Sequence, residues 1–409
     1  MRVVLFTGKG GVGKTTLAAA TAAHLARSGR KALVVSTDPA HSLGDALEAE
    51  LTGEPTEIES GLFAAHIDTR ALLDSSWGQL QGHLRTVLAG AGVDELVADE
   101  LTVLPGIEDL LALGEVRRLA ETGLWEVVVV DCGPTAETLR LLGLPEAISG
   151  YIERLFPSHR RAVRGLLAGL AGAGKADGPG WDATVDALDA LAEQLAGLRV
   201  MLGDHTRTSI RLVLTPERVV AAETRRTVTA LALHGLAVDG IVVNRVVPGP
   251  PPSLRGPAAR WLRERHDEQQ SVLADLDGLG EVPLRAVDHT AAEPTGIPAL
   301  LEVAANLYGD TDPAAPGEQG PPLLHVRRTA GSGTSRDSEF ELVLRLPGAA
   351  DGALDLARVG DELAVAVGPV RRMVALPSVL RRCGVTGARL DGDDLCVVFT
   401  PDPALWISR

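Results

Sequence analysis

Cysteine, methionine and lysine are scarce in this chain, and each scarcity excludes something. Three cysteines in 409 residues, Cys132, Cys383 and Cys396, form no C-x-x-C pair. That excludes a disulfide framework and a thiolate zinc site. No apolar run approaches the roughly 18 residues that a bilayer crossing needs, so an integral membrane protein is not expected. The chain opens directly on the apolar stretch Arg2-Val3-Val4-Leu5-Phe6. Without a charged n-region and an h-region a secretory signal is not expected, and a cytoplasmic location is the default. A basic excess is also missing. The 54 acidic residues outnumber the 39 basic ones, giving a net charge of −15, all of it before residue 323. An acidic body argues against a nucleic-acid surface. The basic residues are nearly all arginine. Only Lys9, Lys14, Lys31 and Lys175 are lysine, and the first two fall in one short segment.

What is present reads as a large soluble chain of two to three domains. Buried strands are expected at 1–8, Lys31 to Thr37, Trp125 to Asp131 (with the run Val127-Val128-Val129-Val130), Ser209 to Thr215 and Asp239 to Asn244. Such unalternating runs suit central strands covered on both faces, which predicts an α/β fold: a mostly parallel sheet with helices on each side. A helix is expected over 14–28. Leu-, Ala- and Arg-rich stretches at about 70–122 and 134–205 predict a helical insert, with a Gly-rich break from Gly169 to Gly180. Residues 309–322 read as a linker by composition, with few contacts expected across it. Beyond it, Phe340 to Leu346, Leu363 to Val367 and Leu395 to Phe399 alternate as antiparallel strands do. The expected division is therefore 1–308, a linker at 309–322, and a small all-β sandwich at 323–409.

The strongest motif is Gly8-Lys9-Gly10-Gly11-Val12-Gly13-Lys14-Thr15-Thr16, a G-x-x-x-x-G-K-[ST] loop between a strand and a helix. Its glycines turn backbone N–H groups toward phosphate oxygens, and the helix N-terminus adds its positive dipole end. ATP and Mg²⁺ are the implied ligands. Lys14 is placed to reach the β- and γ-phosphates, and the Thr15 hydroxyl to coordinate the metal. Lys9, directly after the first glycine, marks the deviant class of this loop. In that class such a lysine points across a homodimer interface and supplies transition-state charge, as an arginine finger does. Asp38, at the end of the second strand, suits the acid that orients the attacking water; a turn role before Pro39 is its alternative. His41 suits a turn or switch contact as well as a catalytic one. Asp131 ends the Val-rich strand, where a metal-holding carboxylate belongs.

These segments resemble the ArsA-type anion-pump ATPases and the related targeting ATPases for tail-anchored membrane proteins. The loop, the first switch Ser36-Thr37-Asp38-Pro39-Ala40-His41-Ser42-Leu43 and a second switch from Asp131 through Leu142 carry the likeness. Pro216-Glu217 with Glu223-Thr224-Arg225-Arg226, the stretch Val242-Val243-Asn244-Arg245, and Glu293-Pro294-Thr295-Gly296 are similar to the family's later nucleotide segments. The resemblance implies that Asp38 is the catalytic acid, that Glu217 and Asn244 contact the nucleotide, and that the late loop closes the pocket. The alternating C-terminal segment is similar to the small-heat-shock-like, α-crystallin-type domain appended to some bacterial ArsA-related ATPases.

The departures bear on function. Arsenite needs converging thiolates, and only Cys132 lies in the first 308 residues. Targeting relatives use a Cys-x-x-Cys clamp at their dimer and Met-rich client helices. Here the only methionines are Met1, Met201 and Met373. The leading expectation is a homodimeric ATP-hydrolysing switch that binds a protein client or partner. The alternative is the peripheral ATPase of an arsenite or anion efflux pump with a membrane-protein partner. A DNA-partition ATPase would carry basic or amphipathic terminal surfaces, and none is visible.

Overall fold

The computed structural model describes residues 1–72, 107–134, 190, 193–194, 196–277, 279, 282–315, 322–349, 354–368 and 370–406. Most of the expected helical insert, with the break at Gly169 to Gly180 and the second switch beyond Pro134, lies outside the described residues. By internal contacts the chain forms two compact units. One comprises Met1–Leu5, Thr15–Thr208 and Thr295–Leu301; the other comprises Phe6–Lys14, Ser209–Pro294 and Glu302–Arg409.

The first unit is built on β1 (Arg2–Gly8), β2 (Ala32–Ser36), β3 (Thr56–Glu59), β4 (Leu62–His66) and β5 (Val127–Pro134). Its helices are α1 (Lys14–Arg27), α2 (Ser42–Leu47), α3 (Thr69–Leu72) and α4 (Ile107–Glu121). Strand β2 pairs in parallel with both β4 and β5, and β3 is an antiparallel edge on β4. The Val127–Val130 run and Leu33–Val35 are fully buried, as their lack of alternation requires. The parallel register brings Ser36, Asp131 and His66 level with one another at the carboxyl ends of β2, β5 and β4. Ligand sites in open α/β sheets form at those ends.

In the second unit β6 (Thr208–Leu214), β7 (Val238–Val246) and β8 (Leu284–Asp288) continue the parallel pattern. The order across the eight-stranded sheet is β3-β4-β2-β5-β1-β6-β7-β8. Three helices follow these strands: α5 (Arg218–Leu233), α6 (Pro257–Leu276) and α7 (Gly296–Tyr308). The same unit holds the all-β part. There β14 (Cys383–Asp391), β15 (Asp394–Pro401), β10 (Glu339–Arg345) and β9 (Leu324–Ala330) form one antiparallel sheet. The second, β11 (Leu354–Val359), β12 (Glu362–Val367) and β13 (Val370–Ala375), precedes a short α8 (Ser378–Arg381). Phe340, Leu342 and Leu344 of β10 meet Leu363 and Val365 of β12 and Phe399 of β15 in a shared core. This is the sandwich that the alternation predicts.

The few contacts expected across residues 309–322 are not what the second unit contains. Leu233, the last residue of α5, is fully buried within the sandwich core. The Thr229 hydroxyl donates to the Pro347 carbonyl over 2.6 Å, and Arg372 donates to the Leu233 carbonyl. The start of the stretch is tied down as well. Buried Arg211, paired with Asp239, donates to the Tyr308 hydroxyl and to the Pro313 carbonyl. Composition reports the stiffness of a segment but not the partners that its flanking residues find. Leu233→Ala in the full chain is expected to cost about 2–4 kcal/mol, the range for a large-to-small core change. The urea midpoint measures it, and a loss below about 0.5 kcal/mol would mean that the contact is not made in solution.

Candidate nucleotide site

The phosphate loop lies where β1 ends and α1 begins. Gly8 has no room for a side chain, because a Cβ there would run into the Val213 carbonyl of β6. Gly13 has φ 96, and a Cβ would strike the Asn244 side chain. Within the second unit the loop borders a cavity of about 480 Å³. Its walls include Lys9 to Val12, Thr215 and Glu217 after β6, Arg245 near the end of β7, Gln269 on α6 and His289 after β8. Lys14 is buried, and its Nζ donates to the Lys9 carbonyl over 3.2 Å, so its ammonium arches back over the loop. Lys9 is half-exposed, with Nζ 3.8 Å from Glu223 of α5.

The expected nucleotide contacts are placed with partners of their own. Asn244 Nδ2 donates to the Val12 carbonyl and its Oδ1 accepts from Arg245 N, both over 2.9 Å. Its amide clamps the loop. Arg245 has φ 62, a left-handed conformation that a non-glycine residue holds only at a cost. Glu217 sits at the N-cap position of α5 without a side-chain capping bond, accepts from the Thr215 hydroxyl and pairs with Arg265 of α6 over 3.3 Å. The Thr295 hydroxyl of the late loop donates to Glu48 over 3.1 Å. Gln269 is 2% exposed, and its Oε1 accepts from Val247 N over 2.7 Å. Arg265, Gln269 and His289, which line the cavity, are residues that the sequence reading did not single out. The one available signal is that His289 directly follows β8.

The first unit carries an oxygen cluster. Thr15 Oγ1 donates to Asp131 Oδ2 over 2.8 Å, and Ser36 Oγ donates to the same oxygen over 2.9 Å. Ser42 Oγ lies 3.4 Å from Thr15 Oγ1. Asp131 is fully buried. A hydroxyl and a buried carboxylate in contact are hard oxygen donors, which fit Mg²⁺ with its remaining water ligands. Asp38 follows β2; its N–H donates to Ser36 Oγ, and its Oδ1 accepts from Ala40 N over 3.0 Å. Asp38 therefore makes the turn that its position before Pro39 allows, with its second carboxylate oxygen outside that bond. Thr16 lies on the first turn of α1. All three cysteines are buried, and among the described residues no group of three or more His, Cys, Asp or Glu could hold a metal ion. Among them no helix is long and apolar enough to cross a membrane.

A strand, a glycine loop with an inward-turned lysine, and a helix whose second residue bonds a buried strand-end aspartate define a P-loop nucleotide-hydrolase fold. Comparison with known proteins narrows the class. Residues 1–309 match the anion-transporting ATPase (ArsA) family, and residues 337–399 match the HSP20-like domain found in ArsA. The chain belongs to the ArsA family of ATPases and carries that HSP20-like domain. It is 40% identical to Protein Rv2184c of Mycobacterium tuberculosis, over 99% of this chain and 97% of the relative. A Prosthecochloris vibrioformis protein provisionally named an arsenical pump-driving ATPase is 35% identical over 92% of this chain and 90% of its own. ATPase GET3 of Podospora anserina is 29% identical over 69% of this chain and 85% of its own.

Proposed function

We propose that this chain is a Mg²⁺-dependent, cytoplasmic ATP hydrolase that works as a homodimeric switch and couples hydrolysis to binding and release of a protein client or partner. The observation that carries the reading is the Thr15–Asp131 contact of 2.8 Å at the start of the loop helix. Residues 1–308 hydrolyse the nucleotide, 309–322 connect, and 323–409 form the appended sandwich. Backbone N–H groups of Gly8, Gly10, Gly11, Val12 and Gly13 cradle the phosphates, and Lys14 offsets charge on the β- and γ-oxygens. Thr16 supports the α-phosphate from the first helical turn. Thr15 and Asp131 would hold Mg²⁺, which would supply positive charge to offset the negative charge of the phosphates. Asp38 orients the water and draws on its proton. Lys9 of one chain supplies charge to its partner's site. Glu217 and Asn244 shape the base and ribose end, Asn244 by clamping Val12. The pump-driving alternative draws on the names of three relatives; three buried thiols, two of them beyond residue 380, argue against arsenite as cargo. The purified chain is expected to release phosphate from ATP with Mg²⁺ present and to stop when EDTA removes it. No release in either condition overturns the reading. Crosslinking to an ATP-trapped Asp38→Asn chain then identifies the client.

A further inference from the structure

The first unit holds a histidine pair that the hydrolysis scheme above leaves unused. His66 ends β4 and is 6% exposed. Its Nδ1 is buried with no hydrogen-bond partner. In the parallel register it is level with Ser36, whose hydroxyl serves Asp131 and the Asp38 N–H. His41 stacks on it, with ring centroids 4.0 Å apart and planes inclined by 30°. His41 precedes α2 with φ 55 and makes no side-chain capping bond to that helix. A left-handed L-residue costs about 1–2 kcal/mol and persists only where its surroundings compensate. The side-chain contact that compensates at His41 is the stack, beside the backbone bond that its carbonyl accepts from the Gly44 N–H.

The geometry points to His66 as a positioning residue: its buried ring is the platform that holds His41, and through it the turn from Asp38 to Ser42, in the shape that presents Asp38. This inference rests on Asp38 being the acid that orients the attacking water. The turn is short and covalently continuous. The ring sits three residues after Asp38, and the next residue, Ser42, lies beside Thr15. Releasing His41 therefore frees both the acid and the serine together. The charged groups facing His66 are His41 and Asp38 from this turn and Asp68 just past β4. Burial and then His41 push the His66 imidazole below its ordinary range, and Asp68 and Asp38 oppose them without prevailing. The ring is thus held neutral where a free imidazole, with a pKa of about 6.5, begins to charge. As pH falls through that region the unfolded chain takes up a proton that the native site resists, so acid works against the stacked state.

The test compares three full-length chains. His66→Ala should lower kcat about tenfold or more, since small misplacement of a reacting group has effects of that order, with ATP affinity within about twofold of wild type. His66→Phe keeps a flat ring without a titrating nitrogen and should recover most of the lost kcat. Wild-type kcat should fall more steeply below about pH 6.5 than that of His66→Phe. Full turnover in His66→Ala, or a folded His66→Phe that rescues nothing, overturns the inference. If His66→Ala does not fold, His66→Phe and its acid profile decide alone. If the wild type hydrolyses no ATP, the proposed function falls, and ring-nitrogen NMR decides the pair separately. The inference then requires His66 to titrate below a free imidazole and to move up in His41→Ala. A His66 that titrates as a free imidazole overturns it.

Discussion

Asp38→Asn is expected to bind ATP and to lose most of its hydrolysis. The substitution is nearly isosteric, and an Asn oxygen still accepts the Ala40 N–H that closes the turn. The Asp38 N–H still donates to Ser36, so the loop backbone keeps its anchor. What disappears is the negative charge that, in the proposed mechanism, orients water and takes its proton. A general base contributes about 10²–10⁴-fold, so kcat should drop by that order while the dissociation constant for ATP stays nearly constant. Lys14→Ala provides the contrast, because it should abolish nucleotide binding. Its ammonium is the buried positive charge of the loop, and without it the phosphates meet only backbone dipoles. Equilibrium binding of a fluorescent ATP analogue and phosphate release separate the two effects. An Asp38→Asn chain that turns over normally would remove Asp38 from the mechanism.

The second large effect concerns two chains acting together. Lys9→Ala should cut turnover and spare nucleotide affinity. In its own subunit Lys9 rests 3.8 Å from Glu223, with both side chains roughly half in water. Exposed pairs of this kind are worth about 0.2–1 kcal/mol, so leaving Glu223 for a partner's phosphates costs little. Mixing decides whether it does so. Lys9→Ala chains retain Asp38, and Asp38→Asn chains retain Lys9. A mixed dimer therefore contains one complete composite site. With random pairing the mixture should recover about a quarter of wild-type turnover, although each parent is nearly inactive. Nucleotide should also tighten the dimer, because the acidic first 322 residues repel one another and no cysteine clamp is present. Demonstrated mixed dimers without recovered activity, or constant turnover per chain at dilutions that leave only monomer, would exclude the cross-subunit role.

The phosphate loop was legible because its geometry is local. Nine contiguous residues, a preceding buried strand and a following helix are joined covalently, and glycine chemistry sets the turn. Asp38 and Asp131 were legible one at a time, each as an acid at a strand end. The strands Val127–Pro134 and Ala32–Ser36 announced themselves as β-branched runs. Strand β4, Leu-Phe-Ala-Ala-His, did not, since alanine favours no strand and its pairing with β2 makes it one. The five-residue β8 is masked in the same way by Arg285 and Asp288.

By itself the sequence determined the buried runs that become β1, β2, β5, β6 and β7, where the loop turns, which residues are candidates to meet phosphate, and that an alternating β-rich segment follows residue 322. Backbone preference and hydrophobic period settle those matters over a few residues. The tertiary structure alone decided the meeting of Thr15 with Asp131, 116 positions apart, and the clamp of Asn244 on Val12, 232 positions apart. It also decided that Leu233 completes the core of the sandwich and that His41 stands on His66. Such pairs depend on strand order and parallel register, which side-chain pattern does not encode. An apolar helix end reads the same whichever neighbour covers it.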